Sequence, residues 1–306
     1  MTTDELTGKQ ENDSILQSVK VRSKTVNGIL ILGIVLGFLT VIMIVCGVAY
    51  QYFPVIETYE IKTSKIKTSQ RIVLLTDLHG CMYGEKNGKL LQMIREQNPD
   101  YVCVAGDMTV KNGLHMEEVA DLLKQLSEQF PVYYAPGNHE IRMPEYEVYK
   151  SMLQQNQIQY LENISISIGG NVMIYGLDLP EYWYHKCWQK RDMKREVLEE
   201  LMGECRGECF SILLAHNPEY FPVYAAWGAD LTLSGHVHGG IMRLPKFGGV
   251  ISPSLRLFPK YDAGQYEEKE HWMVLSRGLG LHHIKLRFFN RPEISVINLS
   301  CQEAEK

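Results

Sequence analysis

RIVLLTDLHG, residues 71–80, reads as a buried strand that ends by delivering chemistry. Branched and apolar side chains fill 72–75, and the run then breaks into Asp77, Leu78 and His79 before a glycine. The same grammar recurs in YVCVAGD (101–107), VYYAPGNHE (132–140), FSILLAH (210–216) and LTLSGHVHGG (231–240). Amphipathic helices are predicted between them over 86–97, with Leu90, Leu91 and Ile94 inward, and over 115–129, with Val119, Leu122, Leu123 and Leu126 inward. Strand, site and helix in alternation imply an α/β fold whose parallel strands collect ligands at their carboxyl ends. A hairpin is predicted around Gly169-Gly170, a charged helix over 188–202, and closing strands over 272–276 and 294–299.

The residues at the strand ends suit a pair of divalent ions sharing one bridging group. Asp77 and His79 alternate with Leu78, so in an extended segment both side chains face one way and can grip one ion. Asp107 can bridge two cations with its two oxygens, Asn138 offers a neutral carbonyl, and His216 offers an imidazole. His236 and His238, again two apart, can serve different ions, and the flanking glycines leave room for a phosphate. His139 is too close to Asn138 to share its ion and suits charge stabilisation or proton donation to a leaving oxygen. Each motif alone is weak. All five in order, each ending a strand-like run, point to two-metal hydrolysis at phosphorus.

These five blocks resemble, in order, the signature of the calcineurin-like metallophosphoesterase superfamily. The segments GGIMRLP (239–245), SRGLG (276–280) and FFNRPEI (288–294) are similar to its bacterial membrane-associated, YkuE/YaeI-like branch. The resemblance implies a four-layer α-β-β-α sandwich. It implies one metal held by Asp77, His79, Asp107 and His238, a second held by Asp107, Asn138, His216 and His236, and His139 as the catalytic histidine. The implied cofactors are two divalent ions, Mn, Fe or Zn by the mixed imidazole and carboxylate donors. The expected reaction is attack of a metal-bridging hydroxide on a phosphodiester or pyrophosphate, with lipid- or envelope-linked substrates as candidates. The alternatives are a phosphomonoesterase or protein phosphatase, and a non-catalytic metal-binding scaffold. One departure is visible: many members carry a second acid after Gly106-Asp107, where this chain has Met108, which puts an outer contact in question.

Toward the start no charged side chain occurs between Lys24 and Glu57, and 28–50 is almost wholly apolar, long enough to cross a bilayer. The chain is therefore expected to divide into a disordered cytoplasmic tail (1–27), one transmembrane helix (28–50), a linker (51–61) and the phosphoesterase domain (62–306). Lys20, Arg22 and Lys24 precede the span and Glu57 and Glu60 follow it, which favours a single-pass protein of the cell membrane with an extracytoplasmic domain. The net charge of −5, without long basic blocks, argues against nucleic acid as a partner. Seven cysteines at irregular spacing do not form a disulfide framework, and Cys205 and Cys209 are read as unpaired thiols. His115 is expected to begin a helix and His185 to sit in an aromatic loop. His282 and His283 follow the SRGLG turn within potential reach of the site. Arg243, Lys246 and Arg277 are read as exposed charge with a phosphate contact as the alternative. The Asn163-Ile164-Ser165 sequon is set aside as a short, unspecific motif.

Overall fold

A computed structural model describes residues 3–302 except 187, 190, 241 and 282–286, with backbone only for 3–21, 23 and 25. Helix α1 (Thr3–Tyr50) contains an apolar stretch, Val26–Tyr50, long and apolar enough to cross a membrane. It forms a unit of its own up to Gly47. The helix begins within the segment expected to be a disordered tail.

The second unit contains two six-stranded sheets. In chain order its first half is β1 (Val55–Thr63), β2 (Gln70–Leu75), α2 (Gly88–Arg95), β3 (Tyr101–Ala105), α3 (Met116–Ser127), β4 (Val132–Ala135), α4 (Tyr146–Gln155) and β5 (Gln159–Tyr160). Strands β6 (Ile164–Gly169) and β7 (Val172–Gly176) follow, then α5 (Arg195–Met202), β8 (Phe210–Leu214), α6 (Phe221–Trp227) and β9 (Leu231–Ser234). The chain closes with the short pair β10 (Arg243–Leu244) and β11 (Gly248–Gly249), then β12 (Gly264–Glu268), β13 (His271–Leu275) and β14 (Glu293–Cys301).

The first sheet runs β1-β14-β2-β3-β4-β5, with β2 to β5 parallel and β14 antiparallel to β2. The second runs β12-β13-β9-β8-β7-β6, parallel from β7 to β13 and closed by antiparallel edges. The period-two alternation of each strand divides its side chains between two cores. Ile72 and Leu74 of β2 and Cys103 and Ala105 of β3 face Ile174, Ile212, Leu214 and Leu233 across the gap between the sheets. Val73, Leu75, Val102 and Val104 face outward onto α2, α3 and α4. On the far side Met173, Tyr175 and Leu213 pack under Leu198 of α5 and Tyr224 and Trp227 of α6. The result is a four-layer α-β-β-α sandwich. Its central strands are buried on both faces and therefore read as continuous apolar runs.

Two expectations are corrected, and one helix is added to them. Residues 51–61 are not simply a linker, because Val55–Thr63 form β1, paired in parallel along its whole length with β14. As an edge strand it exposes Glu60 and Lys62, and that charge hid the β pattern. Helix α5 starts only at Arg195, and the described residues of the expected helix before it, 188, 189 and 191–194, form loop and turn. The polar α4, buried only through Tyr149 and Leu153, was not read from sequence at all.

Leu74, fully buried between the sheets, gives a direct test of this layering. Leu74→Ala should lower stability by about 2–5 kcal/mol through lost burial and the cavity left behind. Urea unfolding of wild type and variant would check it, and a loss below about 1 kcal/mol would contradict the inter-sheet placement.

Candidate metal centre

The parallel strands of both sheets end at one place, and the loops that follow carry the seven residues expected to hold metal and His139. Asp77 follows β2, Asp107 follows β3, Asn138 and His139 follow β4, His216 follows β8, and His236 and His238 follow β9. The loops are cross-stitched. The His216 imidazole bonds the carbonyl of Ala105 (Nδ1–O 2.7 Å), the His236 N–H donates to Asp77 Oδ2 (3.0 Å), and the Leu279 N–H donates to the Thr76 carbonyl (3.1 Å).

The local backbone is not the extended chain expected from the Asp77-Leu78-His79 and His236-Val237-His238 alternation. Asp77, His79, Asp107, His236 and His238 have φ of 53°, 47°, 54°, 73° and 53°, in the left-handed region that disfavours side chains with a Cβ. Strain of this kind persists only where surrounding structure over-determines it, and functional sites are where it collects. Two glycines permit the crowding. A Cβ on Gly235 would run into the Asp77 carboxylate and the Thr76 hydroxyl, and one on Gly278, at φ 67°, would meet Asp77 Cβ.

The side chains fall into overlapping groups. Asp77, His79 and His238 converge, with His79 Nε2 3.3 Å from His238 Nε2 and His238 Nε2 3.4 Å from Asp77 Oδ1. Asp107, His216 and His236 converge beside them, with His216 Nε2 3.1 Å from Asp107 Oδ2. His79, Asp107 and His139 form a third group that links the two. His238 Nδ1 lies 3.2 Å from the Gly280 carbonyl. Donation from Nδ1 to that carbonyl, and from His216 Nδ1 to Ala105, leaves each Nε2 lone pair aimed into the centre. Asn138 Oδ1 is buried there without a hydrogen-bond partner among the described residues. His139 is held differently. Its N–H donates to Asp107 Oδ1 (2.7 Å), and its Nδ1 accepts from the Lys111 N–H (3.3 Å), which puts the neutral ring's proton on Nε2.

Such a collection of inward acceptors fits divalent cations, since buried lone pairs and carboxylates this close need positive charge between them. With protons alone the electrostatics are lopsided. Burial raises Asp77 to about 7 against the pull of His216. Burial likewise opposes ionisation of Asp107, yet His216 and His139 outweigh it and hold that carboxyl well below its usual range. His216 is pushed up to about 10, because Asp107 and Asp77 overcome its own burial. Burial and the neighbouring His216 press His236 down to about 3.

Residues 70–240 match the calcineurin-like phosphoesterase family. The chain belongs to that family. Membership brings the reaction class, hydrolysis of phosphoesters, and dependence on metal. Among curated relatives the chain is 28% identical to the uncharacterized metallophosphoesterase YkuE of Bacillus subtilis, over 86% of this chain and 94% of YkuE. It is 25% identical to phosphodiesterase YaeI of Escherichia coli, over 75% of this chain and 82% of YaeI. It is 28% identical to a zebrafish (Danio rerio) protein named as a transmembrane protein with metallophosphoesterase domain, over 80% of this chain and 57% of that protein.

The metallophosphoesterase site depends on residues to which sequence reading gave no role. Glu140 is fully buried and accepts from the backbone N–H groups of Asp107 (2.8 Å), Met108 (2.7 Å), Thr109 (3.2 Å) and Gly137 (2.9 Å) and from the Tyr134 hydroxyl (2.9 Å). It thereby ties the loop after β3 to the loop after β4. Met108 uses its backbone here and buries its side chain against the outer helices, so no second acid is needed to fix this loop. Arg287, also fully buried, donates to the carbonyls of Arg277, Gly278, Gly280 and Asn290, and burial lowers it to about 10. Tyr184 sets its ring 5.3 Å from that of His236. A carboxylate beside Asn138-His139 was the available signal for Glu140. Nothing local marked Arg287 or Tyr184.

The remaining candidates separate cleanly. Arg277 is neither exposed nor aimed at substrate: it pairs with Glu293 (2.6 Å) and Glu57 (2.5 Å) and braces β14 against β1. Arg243 pairs with Asp262 (3.2 Å), and Lys246 is exposed. His115 occupies the position just before α3 without a side-chain capping bond, and His185 lies beside Tyr184 on a cavity that reaches the site. Cys205 and Cys209 are unbridged. His282 and His283 lie outside the described residues.

Two measurements follow. Glu140→Gln replaces one of these acceptor oxygens with an NH2 donor facing a ring of N–H donors and should lower stability by about 2–3 kcal/mol while reducing metal occupancy. An unchanged unfolding midpoint with full occupancy would contradict the stitching role. A divalent ion bound among these donors would displace protons from His216 and Asp77, so affinity should rise with pH across 6–9, with about one to two protons released per chain. Calorimetry in buffers of different ionisation enthalpy measures that number, and no release would contradict the charge balance described.

Proposed function

We propose that this chain is a membrane-anchored phosphohydrolase that uses two divalent ions, Mn, Fe or Zn, to cleave phosphodiester or pyrophosphate bonds. The observation that carries the reading is the convergence of buried imidazole, carboxylate and amide acceptors from both sheets at one point. Asp77, His79, Asp107 and His238 would hold one ion. Asp107, Asn138, His216 and His236 would hold the other. Bound there, the ions would clamp the phosphoryl oxygens and supply the nucleophile near neutral pH.

The chain's own groups do the rest. His139, its Nδ1 occupied by the Lys111 N–H, presents Nε2–H for transfer to the departing oxygen. Asp107 Oδ1 fixes the backbone of His139 and keeps that nitrogen aimed. Cavities of about 450 and 400 Å³ lie on either side of His139 and share Lys111 and Leu281, which leaves room for a substituent on each side of phosphorus. This two-sided space supports a diester over a monoester, and the name of the relative YaeI agrees. Lys111 and Arg142 line the second cavity with positive charge suited to a further phosphate.

The apolar stretch Val26–Tyr50 supports the anchor. Lys20, Arg22 and Lys24 before it, with Glu57 and Glu60 after it, favour an extracytoplasmic catalytic domain.

The full chain, purified in detergent without chelator, should contain about two metal ions and hydrolyse bis-p-nitrophenyl phosphate faster than p-nitrophenyl phosphate. Asp107→Ala should lose both metal and activity. His139→Ala should keep the metal and lose about 10²–10⁴ in kcat. Full metal content without turnover of either ester would overturn the hydrolase reading, and absence of metal after reconstitution would overturn the site.

A further inference from the structure

Three buried tyrosines, Tyr134, Tyr220 and Tyr224, use their hydroxyls within the fold. Tyr134 donates to Glu140 (2.9 Å), Tyr220 to the Trp183 carbonyl (3.0 Å) and Tyr224 to the Asn217 carbonyl (2.9 Å), as a phenol taken out of water usually must. Tyr184 does not. Its ring packs edge-on to His236 at 5.3 Å and tilts 6.1 Å from His216, yet its hydroxyl has no hydrogen-bond partner among the described residues.

Several contacts fix that ring in place. The Trp183 carbonyl, one residue before it, accepts from the Tyr220 hydroxyl and from the Asn217 amide (3.2 Å), and Asn217 directly follows His216. The Tyr184 N–H donates to the Glu181 carbonyl (2.9 Å), and Glu181 pairs with Arg142 (2.8 Å) from the loop that carries His139. The 181–184 turn is therefore tied to the loops of both histidines. Tyr184 lines a cavity of about 400 Å³ together with Asn138, His139 and His236. Burial pushes its hydroxyl well above the usual range, and the Asp107 carboxylate adds to that push, so the oxygen keeps its proton within electrostatic reach of the centre. A fixed donor without an acceptor, on the cavity of a site read as holding a phosphoryl group, matches the acceptor that such a substrate brings.

Resting on the proposed hydrolase activity, we infer that Tyr184 is a substrate contact whose hydroxyl donates a hydrogen bond to an unesterified oxygen of the phosphoryl group under attack. His139 serves the departing oxygen, and Tyr184 serves an oxygen that stays on phosphorus. A donor set in advance on a rigid ring costs no reorganisation when charge shifts among those oxygens.

Tyr184→Phe removes the O–H and keeps the ring against His236. The full, metal-loaded chain carrying it should hold wild-type metal and unfold at the wild-type midpoint. Its kcat/KM should fall about 10–100-fold for both bis-p-nitrophenyl phosphate and thymidine 5′-p-nitrophenyl phosphate, because the contact is with the phosphoryl group that the two diesters share. Inorganic phosphate, measured by calorimetry on the same samples, should bind about tenfold more weakly, a reading independent of turnover. Wild-type kcat/KM, a loss confined to one of the two diesters, or a loss accompanied by loss of metal would overturn the inference and leave the hydrolase reading standing. If the wild-type chain turns over neither diester, the hydrolase reading falls by itself. Phosphate binding then decides the contact, and equal affinity in wild type and variant overturns it.

Discussion

His79 Nε2 stands 3.3 Å from His238 Nε2, and His216 Nε2 stands 3.1 Å from a carboxylate oxygen of Asp107, all in a buried place. Acceptors packed so closely repel one another unless positive charge lies between them, and a folding chain would avoid the arrangement if it could. The rest of the architecture can be understood as the means of enforcing it. Two sheets aim their carboxyl ends at one point, and five of the residues there sit in left-handed backbone, at roughly 1–3 kcal/mol each. Large cores between the sheets and under both helix layers offset that strain. Stability and function are therefore opposed at the centre and reconciled only by the layers around it.

Control of the loops is divided between two buried ions of opposite sign. Glu140 gathers backbone donors from the loops after β3 and β4, while Arg287 gathers backbone carbonyls from the segment after β13. Each charge is satisfied mostly by backbone, which lacks the freedom of a partner side chain to swing away. Such charge-assisted bonds are stronger than neutral ones, and a buried ion with its full set of partners rigidifies what it touches. The donor atoms that face the centre are thus held in position by groups that do not themselves face it.

The strands, the helices α2 and α3 and the residues at the strand ends were legible because they depend on local pattern. A strand buried on both faces is an uninterrupted apolar run, and a residue that breaks such a run into glycine and a turn stands out. What was not legible depends on tertiary partners. β1 carries the charges of an edge strand and is defined by β14, more than two hundred residues away. Arg287 is an ordinary arginine until four carbonyls surround it. The Asp77-Leu78-His79 alternation suggested an extended segment, and the left-handed turn that replaces it packs against Gly235 and Gly278 of other loops, where the absence of a Cβ leaves room for Asp77. Donor identity was local information, and donor direction was not.

The first sheet places its last strand in an unusual position. β14 does not finish an edge: it lies between β1 and β2, parallel to one and antiparallel to the other. During synthesis β1 and β2 emerge early, and the slot between them stays empty until residues near Cys301 have left the ribosome. Until then β2 has an unpaired edge, apolar from Ile72 to Leu75, and the loop bearing Asp77 has no Glu293–Arg277 brace behind it. The domain is therefore closed by a late keystone, and nascent or C-terminally shortened chains expose a sticky strand instead of a trimmed but finished sheet.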